Sequence, residues 1–359
     1  MKHSDWRVQK STKRDPQSRR SRPDTARLVV VIFMTAAVLL SVGLILYQSV
    51  FSKRPSPTGS ETGVTTTAPT TGTSSASQTT PSTQPPTSSP TTSTQAPTLP
   101  PTRPTHAGDA AYASYDNTSV GWWFRHPVEL GKDIPSTVPD DIAALLDTYH
   151  AIWRHDTDEK VLYLTMDEGY EYNHNTTQIL DVAAAKGIHI NFFITGDYIT
   201  RASDAGPDGT ELVLRMRAEG HLVGSHTWGH PNQAELIDAE GVDAMAADMH
   251  RLEDAYLSLT GEQIAPFLRP PQGAYSERTL KVLSDLGYRS VMWSFAYRDW
   301  ITTEQPDPAA ALQQIVEELH PGAVYLLHAV SETNVSILSD FIDAAHARGY
   351  RFALLDEFP

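Results

Sequence analysis

Five short stretches of this chain place acid, base and metal-binding side chains where apolar runs stop. Asp167-Glu168-Gly169 sets two adjacent carboxylates on a turn that glycine permits. Ser225-His226-Thr227-Trp228-Gly229-His230 spaces two imidazoles four residues apart, which on a helical turn puts them on one face. With a carboxylate they make a site of two His and one acid that leaves positions open for water and substrate. Arg269-Pro270-Pro271-Gln272-Gly273 offers a rigid guanidinium fork on a backbone that prolines stiffen. Tyr297-Arg298-Asp299-Trp300 and Leu326-Leu327-His328 complete the set, and a carboxylate and a His from different segments can act as general base and general acid.

Each stretch alone has a plainer structural reading. A strand-end Asp is often a helix N-cap, a His after two leucines is usually a satisfied core residue, Asp299-Trp300 can anchor a loop, and Arg269 can be a structural ion pair. The weight comes from their common placement. Strand-like runs are expected at Val161–Met166, Ile188–Ile194, His221–Ser225, Ala265–Leu268, Arg289–Ser294, Ala323–Leu327 and Tyr350–Leu354. Helices are expected between them, among them Asn175–Lys186 before Gly187, Ser276–Leu286 before Gly287, and Asp307–Leu319, which opens with a capping Asp and Pro308 at its first position. Another is expected near Pro139–His150, after the aromatic Trp122-Trp123-Phe124. Seven strands alternating with helices predict an α/β fold, a parallel sheet closed or nearly closed into a barrel, whose functional groups gather at the C-terminal strand ends. Five of those ends carry the five stretches. His155, His174, His189 and His346 lack such placement and read as structural or surface residues.

The elements occupy only part of the chain. Leu28–Phe51 runs without a charge, long enough to cross a bilayer core, and nine Lys or Arg against three Asp or Glu precede it. The expectation is a single uncleaved transmembrane helix with a cytoplasmic N-terminus and an extracellular body. Pro, Ser, Thr, Gln and Gly dominate the stretch that follows, which cannot bury enough apolar surface to fold and reads as a disordered stalk. The organisation expected is a basic tail (1–27), a membrane helix (28–51), a linker (52–105) and a folded domain (106–359). The whole chain carries −15, and the surplus of cations at its start leaves the folded part more acidic still, a poor partner for nucleic acid. Without cysteine, disulfides, thiolate metal sites and a Cys nucleophile are excluded.

The ordered motifs from Thr165-Met166-Asp167-Glu168-Gly169 to Leu326-Leu327-His328 resemble the polysaccharide deacetylases with a NodB homology domain, whose fold is a distorted (β/α) barrel. Within that family the chain is most similar to the delta-lactam-biosynthetic de-N-acetylases that act on N-acetylmuramic acid. The likeness lies in Gly169-Tyr170-Glu171, Ser276-Glu277-Arg278-Thr279-Leu280, Trp293-Ser294-Phe295-Ala296-Tyr297 and His328-Ala329-Val330-Ser331, and it begins near Gly121. The resemblance implies Asp167 as general base, oriented by Arg269, and His328 as general acid, assisted by Asp299. It implies His226, His230 and Glu168 as ligands of one divalent ion, with zinc expected, and Tyr170, Pro271, Gly273, Tyr275 and Trp300 as substrate contacts. The substrate implied is peptidoglycan and the protein a monomer. Deacetylation of N-acetylglucosamine or chito-oligosaccharides, acetyl-xylan ester hydrolysis and an inactive wall-binding module are the alternatives. Two positions depart from the family pattern: Glu168 stands where the family has Asp, and Met166 where it has an aromatic residue.

Overall fold

The computed structural model describes residues 103–201 and 208–359. The expected membrane helix at 28–51, and the tail and linker around it up to residue 102, lie outside these residues. Among the described residues no helix is long and apolar enough to cross a membrane.

Among the described residues nine strands form: β1 (Val120–Gly121), β2 (Val161–Glu168), β3 (Asn191–Ile194), β4 (Leu222–Ser225), β5 (Phe267–Leu268), β6 (Ala274–Tyr275), β7 (Arg289–Ser290), β8 (Ala323–His328) and β9 (Arg351–Phe352). Seven make one parallel sheet, in the order β7-β5-β4-β3-β2-β8 with β9 also on β2. Beyond β7 the chain turns back to β8, where Phe295 bridges Tyr325 in parallel and the Leu326 N–H donates to Phe295 O at 2.9 Å. The sheet thus curls in the manner of a (β/α) barrel, with all seven expected strands present, β2 and β8 longer than expected and the other five shorter.

β2 is the axis of this sheet, and all eight of its residues are buried. A strand covered on both faces reads as an unbroken apolar run, so its parity is invisible in the sequence. In the structure Val161 and Tyr163 pack inside the barrel with Phe193, Leu222, Phe267, Val291 and Val324. Leu162, Leu164 and Met166 point outward, under helices Asn175–Lys186 and Glu332–Ala347. Successive residues of a strand alternate faces, so Asp167 continues the inner row and Glu168 the outer one. The buried Asn191 holds β2, β3 and the end of β9 together: its Nδ2 donates to Leu164 O and Ala353 O, and its Oδ1 accepts the Leu355 N–H at 2.8 Å.

The helices stop and start where local chemistry dictates. Asn175–Lys186 ends on Gly187 at φ +65°, a left-handed cap that favours glycine. Helix Pro308–Glu317 begins behind Asp307, whose side chain accepts the Ala310 N–H at 2.9 Å. Helix Glu277–Asp285 opens with a capping box of Ser276 and Thr279. The pair β1 and β6, antiparallel and two residues long each, was not expected. It docks the lead-in segment against the barrel, so that Trp122 lies 6.5 Å from Trp293 and donates its indole N–H to Trp293 O at 2.9 Å.

Candidate active site

A cavity of about 480 Å³ opens at the C-terminal strand ends, lined by Asp167, His226, His230, Trp293, Trp300 and His328, with Tyr170 and Gly273 also in its wall. Asp167 and His328 are register partners on the adjacent parallel strands β2 and β8. Neighbouring strands run about 4.8 Å apart, so these two groups share one face at close range.

Asp167 is flanked on both sides. Its Oδ1 lies 3.4 Å from Arg269 Nε and its Oδ2 3.4 Å from His226 Nε2. Arg269 is fully buried, with its guanidinium carbon 4.7 Å from the Phe193 ring centroid and 5.4 Å from that of Trp293, and it donates to Thr165 Oγ1 at 2.5 Å. Burial pushes its pKa down while Asp167 opposes the shift, yet an arginine stays charged in any protein interior. Asp167 Oδ1 and Arg269 Nε and Nη1 have no hydrogen-bond partner among the described residues. A buried pair with unsatisfied atoms is a poor stability device, and such a feature fits a group kept ready for a ligand.

The two histidines converge. His226 Nδ1 is 2.8 Å from Arg269 O, and since a carbonyl only accepts, Nδ1 carries the hydrogen and Nε2 is the free lone pair. That Nε2 lies 3.1 Å from Nε2 of His230. Burial lowers the pKa of both, that of His226 to about 4 despite the opposing charge of Asp167, so both rings are neutral near pH 7. The turn between them is not the expected helical one. Thr227 and His230 sit at φ +66° and +55°, held by the His230 N–H donating to Thr227 Oγ1 at 3.0 Å. Asp248, on helix Val242–Thr260, accepts the Trp228 and Gly229 N–H groups at 2.9 Å each.

Two imidazole nitrogens bound at about 2.05 Å to one tetrahedral zinc would be about 3.3 Å apart, close to the spacing observed, and neutral imidazole is the form a metal takes. The histidines therefore fit a divalent ion. Glu168 does not join them. Its parity on β2 sends the carboxylate outward, wholly buried, within 3.3 Å of Thr176 Oγ1 and near Glu171. Burial, then Glu171, push its pKa well up. The carboxylate nearest the imidazoles is Asp167. Among the described residues no three His, Asp or Glu side chains form a ready-made metal cage.

On the far side of the cavity His328 Nδ1 bonds Asp299 Oδ1 at 2.7 Å, and the His328 backbone N–H donates to Asp299 Oδ2 at 2.8 Å. Burial pushes the His328 pKa down, but the Asp299 charge and hydrogen bond, with Asp167, outweigh it and the net shift is upward. Trp300, half exposed, lies 5.7 Å from the His328 ring.

The expected substrate contacts divide. Tyr170, Gly273 and Trp300 line the cavity. Gly273 sits at φ +64°, and a Cβ there would come within 2.7 Å of Trp293, so both backbone and space require glycine. Pro271 and Tyr275 do not line it. Pro270 takes the place expected of Pro271, and Tyr275 is turned into the core against Trp122, 6.3 Å between centroids. Asp248, Thr165, Trp293 and Asn334, which donates to Asp299 Oδ2 at 2.6 Å, were not anticipated. Thr165 and Trp293 fall within the motif stretches without an assigned role, whereas Asp248 and Asn334 carry no motif and only the fold brings them here.

The sequence profile described as polysaccharide deacetylase matches residues 154–291. An uncharacterised 30.6 kDa protein of Geobacillus stearothermophilus is 36% identical over 250 residues, covering 68% of this chain and 87% of its own. The peptidoglycan-N-acetylmuramic acid deacetylase PdaA of Bacillus subtilis is 34% identical over 252 residues, covering 70% of this chain and 90% of its own. The solved structure of PdaA, a family 4 carbohydrate esterase, superposes with a TM-score of 0.62 at 32% identity over 68% of this chain and 97% of that one.

Proposed function

We propose, from the premise that this chain belongs to the polysaccharide deacetylase family, that it is a carbohydrate de-N-acetylase acting on peptidoglycan, with N-acetylmuramic acid as the sugar it deacetylates. The observation that carries the reading is the pairing of Asp167 with His328 across β2 and β8, on a cavity that also receives the two facing imidazoles.

His226 and His230 would hold a divalent ion, for which zinc is the proposed species, and bound there it would polarise the acetyl carbonyl and offset charge developing on its oxygen. Asp167, oriented by Arg269, takes a proton from water while the water oxygen bonds to the carbonyl carbon. As the carbon–nitrogen bond breaks, its electron pair stays on nitrogen, and His328 gives that nitrogen the proton from Nε2. Acetate and a free amine leave. Asp299 holds the Nδ1 proton of His328 and favours the imidazolium that must be present beforehand. Trp300, Trp293 and Tyr170 give the sugar apolar faces to lie on. The uncharged run at 28–51 is proposed as a membrane anchor that leaves a monomeric domain outside the cell, tethered by the linker.

The test is incubation of the purified full-length chain with cell-wall sacculi and added zinc, reading acetate release and, by mass spectrometry of digested glycan, which sugar has lost its acetyl group. Muramic acid is expected. Loss from glucosamine alone would reassign the substrate, and no acetate with zinc, cobalt, manganese or nickel would sink the hydrolase reading.

A further inference from the structure

Asn334 completes the pair of Asp299 and His328. It lies in the first turn of helix Glu332–Ala347, 1% exposed, and its side chain caps nothing: Ser331 performs that task by accepting the Asn334 N–H at 3.2 Å. The Asn334 Nδ2 is 2.6 Å from Asp299 Oδ2 and 3.0 Å from the His328 carbonyl oxygen. Carboxylate and carbonyl oxygens only accept, so the amide nitrogen must face them, each taking one of its two hydrogens. The amide oxygen then faces the other way, where the Tyr297 hydroxyl has no choice but to donate to it. The hydrogen bonds run in one direction, from Tyr297 to Asn334 to Asp299, and they meet those of His328 arriving at the same carboxylate.

We propose that Asn334, its amide oriented by Tyr297, is a positioning residue for the proton donor: it fixes Asp299 in the rotamer that retains the His328 Nδ1 proton, and so reserves Nε2 for the leaving nitrogen. The inference rests on the reading of His328 as that donor. A purely structural Asn would bond helix N–H groups or solvent, whereas here every side-chain bond goes to the reacting pair or to the tyrosine that orders it. The second amide hydrogen on the His328 carbonyl also pins the start of the turn from His328 to Ser331, so ring and carboxylate cannot drift apart independently.

The experiment compares the full-length wild type with Asn334→Ala and Tyr297→Phe on two substrates. In glycan the leaving amine must be protonated. In an activated aryl acetate the phenolate departs without a proton. Asn334→Ala is expected to lower kcat/KM on glycan by about 10- to 100-fold, through kcat, and to affect the aryl acetate far less. Tyr297→Phe should shift the same ratio by about 3- to 10-fold, with its fold confirmed by an unchanged melting curve. A readout independent of turnover is the low-field proton signal of His328 Nδ1, which should broaden or vanish in Asn334→Ala and persist in the wild type. Equal losses on both substrates, or an undisturbed Nδ1 signal, would overturn the positioning role. If the wild type releases no acetate from glycan while its Nδ1 signal still depends on Asn334, the proposed function fails and the clamp stands.

Discussion

At the N-terminal strand ends of the barrel, His221 accepts the Ile190 N–H through Nδ1 at 3.0 Å, and His320 is held between Glu318 O at 2.9 Å and Ser294 Oγ at 3.0 Å. At the opposite ends His226 is as buried as these, and burial pushes all three down to about pH 4. The difference is where the nitrogens point. The lower histidines spend theirs on the protein, while His226 spends one on a carbonyl and turns the other to a cavity and a second imidazole. Burial and acidity alone do not mark a working histidine; an uncommitted lone pair does.

The sharpest way to break that contrast is at the mouth. Asp167→Asn should cut kcat/KM on glycan by about 10²- to 10⁴-fold, the range for loss of a general base, while His320→Gln leaves turnover within about twofold. Next is Asp299→Asn, which removes the charge that holds the His328 pKa up and leaves burial to push it down. The alkaline limb of the pH–rate profile should therefore move to lower pH, and a limb that stays in place would remove His328 as the acid.

The lower histidines should show themselves in stability rather than rate. With folded values near 4 against about 6.5 unfolded, both states are neutral above pH 6.5 and no stability is lost there. As pH falls from 6.5 to 4 only the unfolded chain takes up protons, and each of His221 and His320 costs up to about 3 kcal/mol of stability by the acid end. Thermal melts across that range should slope downward with acid, and less steeply in His320→Gln. The smallest effect belongs to Glu168→Gln. A carboxyl facing Thr176 instead of the imidazoles should change zinc affinity and turnover by less than about threefold. It should also raise the melting temperature at pH 7, because its neutral isostere replaces a group whose charged form burial disfavours. A large loss of metal on that change would put Glu168 back among the ligands.

The helix at Asn175–Lys186 was legible to the residue because Gly187 stops it, and Asp307-Pro308 marked the start of another. The five motif-bearing strand ends were legible for a related reason: polar residues that break apolar runs stand out. What the sequence could not convey was parity. Val161 to Glu168 is buried throughout, so nothing in its pattern tells which of two adjacent carboxylates faces the cavity. Nor could spacing distinguish a helical turn at His226–His230 from one held by left-handed residues and by Asp248, contributed from a helix later in the chain. Tyr275 read as a substrate contact through the family resemblance, yet the short β1–β6 pairing turns its ring inward.

That pairing sets the smallest piece of this protein that can be cut out intact. Trp122, ahead of the family segment 154–291, covers one side of Trp293 and Gly273, while Asp299, His328 and Asn334 come after it. A product trimmed to the matched segment would lack its proton donor and, without Trp122 and Trp293, would bare the aromatic flank at Tyr275. Such a fragment should come out of the cell as insoluble aggregate, whereas one spanning residues 103–359 keeps that flank covered.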